Sequence, residues 1–224
     1  MTSRALAPVD AVIFDMDGVL ADSEPLNFEA LRLFLAGHGV QYTAAENDEF
    51  IGVTDREHLG ILRERYRLAP DLDRLMGDYT GRLLALIPGG TVPMPGVPEV
   101  PRRLAEAGYG LAVASSATRA VLEARLQALG VLPLFRAVVS GAEVPQGKPE
   151  PDVFLEAARR LAVTPARCLV VEDSRNGLRA ARAAGMICAV VPCQATLGQD
   201  LTGADLRLGE LSDLLGALGV DGQG

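Results

Sequence analysis

Cysteine is scarce in this chain and histidine scarcer. Cys168, Cys188 and Cys193 sit in apolar or turn-like stretches, with no paired spacing of the zinc or redox type. That excludes a disulfide scaffold and a zinc ribbon. An odd cysteine count, with no long apolar run in the opening MTSRALAPVD, predicts a reducing, cytoplasmic setting. The cysteines then read as small buried hydrophobes. The two histidines, His38 and His58, have no second ligand at metal-binding spacing, and both read as surface helical positions. No apolar run reaches membrane-spanning length, which predicts no membrane partner. Positive charge is also short. Lys and Arg total 21 against 29 Asp and Glu, a net charge of −8. Nucleic-acid binding needs a basic footprint, so none is expected. A small anionic substrate is not excluded, because local charge decides that. Internal repeats and low-complexity tracts are absent.

What is present suffices for a core. The 224 residues are 49% apolar, enough for one full core with a smaller appended unit. Residues 9–14 (VDAVIF) read as a buried strand and 24–38 as an amphipathic helix. Residues 44–87 stay helical in character. The Pro- and Gly-rich stretch IPGGTVPMPGVP, residues 87–98, reads as a linker. Strands are then expected at 109–115, 135–141, 167–173 and 186–192. Helices are expected at 119–130, 150–162, 174–185 and 210–219. Apolar strands alternating with helices predict an α/β fold, a Rossmann-like parallel sheet covered on both faces. The expected organisation is a core of residues 1–22 and 92–224, with an all-helical insert at 23–91, in a monomer.

Ligands of open parallel sheets bind beyond the carboxyl ends of the strands. Here the first strand ends in Asp15 and Asp17, and the second in Ser115, Ser116 and Thr118. The third leads to Lys148 in QGKPEPD, and the fourth ends in Glu172 and Asp173. Each group has a plain structural reading alone: a turn, a helix cap, a solvated loop lysine. Converging, they make a site. Crowded carboxylates repel one another, and a hard divalent cation such as Mg²⁺ relieves that repulsion with oxygen ligands. Asp15, Asp173 and Glu172 are candidate ligands. Lys148 can hold a substrate oxygen, and the hydroxyls and backbone N–H groups after the second strand suit phosphate. One carboxylate can attack phosphorus while another, two residues on, handles protons. Gly18 lets the chain turn tightly after that pair.

FDMDGVLADSE, AVASSA, GKPEPDVF and VVEDSRNGLRAARAAGM resemble, in order, the four motifs of the haloacid dehalogenase (HAD) superfamily. The likeness covers most of residues 9–192. The helical insert is similar to the small cap of the β-phosphoglucomutase-like subgroup. The resemblance implies that Asp15 is the nucleophile and Asp17 the general acid/base. Asp17 would also give its main-chain carbonyl to Mg²⁺, completing a metal set of Asp15, Asp17, Glu172 and Asp173. Ser115, with the N–H groups of Ser116 and Ala117, would hold the phosphoryl group, and Lys148 would bridge it to Asp15.

FIGVTDREH (50–58) resembles the substrate-specificity loop of such caps. Gly52, Val53, Thr54, Asp55 and Arg56 are therefore candidate substrate contacts, with Gly18 and Asn27. Asn27 stands where the mutase pattern has a histidine, and no lysine occurs within 23–91. A mutase needs a second basic site for its bisphosphate, so these departures favour hydrolysis. A Schiff-base phosphonate hydrolase would need a cap lysine and is excluded. The expectation is a Mg²⁺-dependent phosphatase for a small phosphorylated metabolite, such as a sugar phosphate. A β-phosphoglucomutase-type mutase is the alternative, and a non-catalytic phosphometabolite-binding protein a more distant one.

Overall fold

A computed structural model of the chain describes residues 8–50 and 54–220. In chain order the elements are β1 (Ala11–Phe14), β2 (Ala21–Asp22), α1 (Glu24–Ala36), α2 (Ala44–Asp48), α3 (Asp55–Arg65) and α4 (Leu72–Gly90). There follow β3 (Val92–Pro93), α5 (Glu99–Glu106), β4 (Gly110–Ser115), α6 (Arg119–Ala128) and β5 (Ala137–Ser140). The last are α7 (Asp152–Leu161), β6 (Cys168–Glu172), α8 (Arg175–Ala183), β7 (Ile187–Val190), β8 (Leu206–Arg207) and α9 (Asp213–Ala217). Two compact units emerge, residues 1–22 with 92–224, and residues 23–91.

The first unit is a six-stranded sheet in the order β5-β4-β1-β6-β7-β8, parallel throughout. β1 lies in its middle, and every residue of β1, β4, β5 and β6 is buried. Such strands must be apolar on both faces, because helices cover both. One face packs Val12, Phe14, Val113 and Val171 with Leu104, Leu122 and Leu214. The other packs Ile13, Ala112, Val139 and Val170 with Phe154, Ala157 and Leu178. Removing any one of the large fully buried chains costs about 2–5 kcal/mol.

The second unit is helical. α1 and α3 both pack on α4. Thr43 and Thr54 open α2 and α3 with reciprocal capping boxes to Glu46 and Glu57.

Several elements differ from the sequence expectation. The stretch 87–98 is not one linker: α4 continues to Gly90, and Val92–Pro93 pair antiparallel with Ala21–Asp22. Pro88 sits in the last turn of α4, where Thr91 closes the helix by donating both N–H and Oγ–H to the Ile87 carbonyl. α5 was not anticipated. Its Pro101 falls in the first turn, where N–H groups lack helical acceptors anyway. The last helix is shorter than 210–219 and covers Asp213–Ala217 alone. His58 is not a surface position. It is half-buried, stacked on Phe50 at 3.9 Å between centroids, and hydrogen-bonded to the Tyr42 hydroxyl at 2.9 Å.

Candidate active site

Asp15 follows the last residue of β1, where Phe14 is flanked in register by Val113 and Val171. One step on, Asp15 donates its N–H to the Val171 carbonyl at 2.9 Å. Three adjacent strands thus deliver Asp15, Ser115 and Glu172 to one edge of the sheet. All three are buried, as is Asp173. After Asp15 the chain reverses: Gly18 adopts φ +75° and donates its N–H to the Ala21 carbonyl at 2.9 Å. A Cβ on Gly18 would lie 2.4 Å from Asp173 Oδ2, so glycine is required there twice over, by conformation and by space.

Lys148 ties the cluster together. Its Nζ donates to Asp15 Oδ1 at 2.6 Å, to Glu172 Oε1 at 2.5 Å and to the Ala114 carbonyl at 3.1 Å. Its ammonium also lies 4.7 Å from the Phe154 ring centroid. Burial opposes its charge, but Asp15 and Glu172 outweigh that and hold it above the ordinary lysine range. It is the only lysine in the chain; the other twenty basic residues are arginines. That singularity is a signal available from sequence alone.

Glu172 is fully engaged. Its Oε2 accepts from the Asp173 N–H, the Ser174 N–H and the Ser174 hydroxyl, at 3.1, 3.1 and 2.9 Å. Ser174 Oγ in turn accepts the Gly177 N–H and caps α8. Asp173 Oδ2 accepts from the Cys193 thiol at 3.2 Å, a contact that sequence spacing did not reveal.

The charge balance matters for what can bind. Asp15, Glu172 and Asp173 each offer an oxygen, all within 4.8 Å of one another. Burial, and then neighbouring carboxylates, push Asp15 well above the usual carboxylate range; Lys148 only partly opposes this. Burial and Glu172 raise Asp173 to about 7. Three buried carboxylates with one ammonium leave negative charge uncompensated, and an all-oxygen donor set is what a hard dication takes. The residues present therefore fit Mg²⁺.

The remaining candidates fall as follows. Ser115 Oγ accepts the Ala117 N–H at 3.2 Å, so that N–H is turned inward to the serine. Ser116 is exposed, and the buried Thr118 Oγ1 has no hydrogen-bond partner among the described residues. Asp17 makes an ion pair with Arg125 of α6, a residue the sequence reading did not single out. Asn27 lies half-buried in α1. Thr54 caps α3, Asp55 follows it, and Arg56 pairs with Asp73 at 2.8 Å with both side chains exposed. Gly52 and Val53 lie outside the described residues.

Known proteins bear on this arrangement. The family described as haloacid dehalogenase-like hydrolase matches residues 9–185. The protein CbbY of Rhodobacter capsulatus is 36% identical over 213 residues, covering 90% of this chain and 93% of that protein. A phosphorylated carbohydrates phosphatase of Thermotoga maritima is 35% identical, covering 80% of this chain and 82% of its own. A crystal structure of CbbY from Rhodobacter sphaeroides, a D-to-N mutant in complex with xylulose-(1,5)bisphosphate, superposes with a TM-score of 0.85. It is 30% identical and covers 94% of this chain and 99% of that one. The chain is thus an enzyme, a phosphoric monoester hydrolase, and it belongs to the haloacid dehalogenase-like hydrolase family.

Proposed function

We propose that the chain is a Mg²⁺-dependent phosphatase of a small phosphorylated carbohydrate, acting through an aspartyl-phosphate on Asp15. The observation that supports this most is Lys148 held between Asp15 and Glu172 beside Asp173. The names of the similar proteins support a carbohydrate phosphate as the substrate class.

Asp15 and Asp173, with Glu172 and the Asp17 carbonyl, would hold the cation. When bound, it supplies the positive charge that keeps Asp15 ionised and offsets the phosphoryl charge. Lys148 fixes Asp15 Oδ1 and leaves the other carboxylate oxygen to attack phosphorus. The Ser115 hydroxyl, whose oxygen already accepts the Ala117 N–H, donates to a phosphoryl oxygen. As the ester P–O bond breaks, Asp17 gives its proton to the departing sugar oxygen. Asp17 then takes a proton from water, the water oxygen bonds to phosphorus, and the bond to Asp15 breaks, releasing phosphate. Mutase chemistry would need a second phosphate site. Arg56, the basic side chain among the candidate substrate contacts, is engaged by Asp73.

The test is phosphate release from a panel of sugar phosphates with Mg²⁺ or with chelator. The panel includes xylulose 1,5-bisphosphate, fructose 1-phosphate, and β-glucose 1-phosphate primed with the 1,6-bisphosphate. Metal-dependent release that disappears in Asp15→Asn is expected. Undiminished turnover in Asp15→Asn overturns the mechanism. Conversion of β-glucose 1-phosphate to glucose 6-phosphate without free phosphate overturns hydrolysis.

A further inference from the structure

Arg125 is the largest fully buried side chain of the described residues. It occupies the inward stripe of α6 with Val121, Leu122 and Leu126. In the fold that stripe faces the core, where an arginine is costly. Its guanidinium cannot shed its proton, so the charge must be paired. The pairing runs from Nη1 to Asp17 Oδ1.

The pair is lopsided. The Arg125 side chain is 2% exposed, while that of Asp17 is 37% exposed. Asp17 therefore has water available and does not need the arginine for its own solvation. An apolar residue at 125 would fill the same stripe without burying a charge. What an arginine adds there is direction. The backbone at Asp17 is set by the Gly18 turn and a bridge to Ala21. The rotation of its carboxylate is left to a partner, and a planar guanidinium fixes direction better than any other cation. α6 also begins directly after the Ser115–Thr118 loop, so one rigid helix carries that loop at its start and the Asp17 partner two turns on.

We propose that Arg125 is a positioning residue for Asp17, holding its carboxylate where the proton of the leaving oxygen is handled. This rests on the reading of Asp17 as the acid/base. In this role Arg125 makes no contact with phosphate and acts through Asp17.

Two leaving groups separate this role from a structural one. A sugar alkoxide needs a proton to depart; p-nitrophenolate does not. In single-turnover experiments with excess enzyme, Arg125→Met should slow sugar release from the fastest hexose phosphate of the panel by about 100-fold, the scale of a misplaced catalytic group. Release of p-nitrophenol from p-nitrophenyl phosphate should be little changed. Arg125→Lys keeps the charge without the fork and should recover part of the loss. The ratio of the two rates is independent of how much variant folds. Equal losses on both esters, or no loss on either, overturn the proposal. If Asp17→Asn releases sugar at the wild-type rate, the reading of Asp17 fails and this proposal with it. If Asp17→Asn is inactive on the sugar phosphate while Arg125→Met is not, this proposal alone fails.

Discussion

At the residue scale, the site is held together by atoms that leave room. A Cβ on Gly177 would lie 1.8 Å from the Glu172 carboxyl, and that carboxyl is fixed by Lys148 and Ser174. Gly177→Ala must therefore displace Glu172 or tilt α8. Overpacking of this kind costs about 1–3 kcal/mol. The expected result is a lowered melting temperature and a fall in kcat of more than tenfold, measured by calorimetry and steady-state phosphate release. An unchanged kcat would mean that Glu172 need not stay where Lys148 meets it. Most of these residues were legible in the sequence because they stand at strand ends, where a charge has no core reason to be. Arg125 was not. It lies within a helix, and a stripe of apolar residues with one arginine reads as an edge position whose long side chain reaches water. Only the fold puts Asp17 in front of it.

At the element scale, α3 carries a group that sequence reasoning placed wrongly. His58 is alone among its neighbours in ligand terms, so spacing left it on the surface. Its aromatic partners, Phe50 and Tyr42, lie 8 and 16 residues upstream, outside one helix period. Burial, and then Arg65, lower its pKa to about 4 from the ordinary 6.5. In the unfolded chain His58 takes its proton near 6.5, and in the folded chain only near 4. Proton uptake then favours unfolding across that window, so stability falls as pH drops from 6.5 to 4 and the loss is complete below it. Melting curves of His58→Gln should show a shallower fall than wild type between those pH values. A parallel fall in both proteins would remove His58 as the cause. Elements that escaped the sequence reading have similar explanations. β2, β3 and β8 are two residues each, too short to show alternation. The last turn of α4 and the first turn of α5 contain prolines at positions where a helix tolerates them. The long strands and helices were read because their periods differ and repeat.

For the whole molecule, the excess of buried carboxylate sets how stability answers to pH and metal. With no cation, Asp15 and Asp173 hold protons in the folded chain at pH values where the unfolded chain has released them. A raised carboxylate stabilises below its unfolded value, 3.8, and loses that contribution as pH rises through its folded value, about 7 for Asp173. Their contribution to the chelator-treated protein should therefore weaken as pH rises from about 4 to about 7. In the proposed site Mg²⁺ would compete with these protons, so the gain in melting temperature it gives should be larger at pH 8 than at pH 5. Saturation at a hundred times Kd corresponds to about 2.7 kcal/mol. Scanning calorimetry with and without Mg²⁺ at both pH values measures it. A gain larger at pH 5 would place the cation elsewhere. His58 contributes with the opposite sign across an overlapping pH range, so the two effects are told apart by the His58→Gln variant and by the dependence on Mg²⁺.

Lys148 has a consequence outside catalysis. The chain owns one ε-amine, and folding encloses it between two carboxylates and a phenyl ring. The other twenty strongly basic side chains are guanidiniums. Reagents that acylate or cross-link amines meet no lysine on the outside of the folded protein, so beyond the terminal amine they should leave it untouched. An isotopically labelled lysine would give a single resonance, and that resonance would come from the centre of the site.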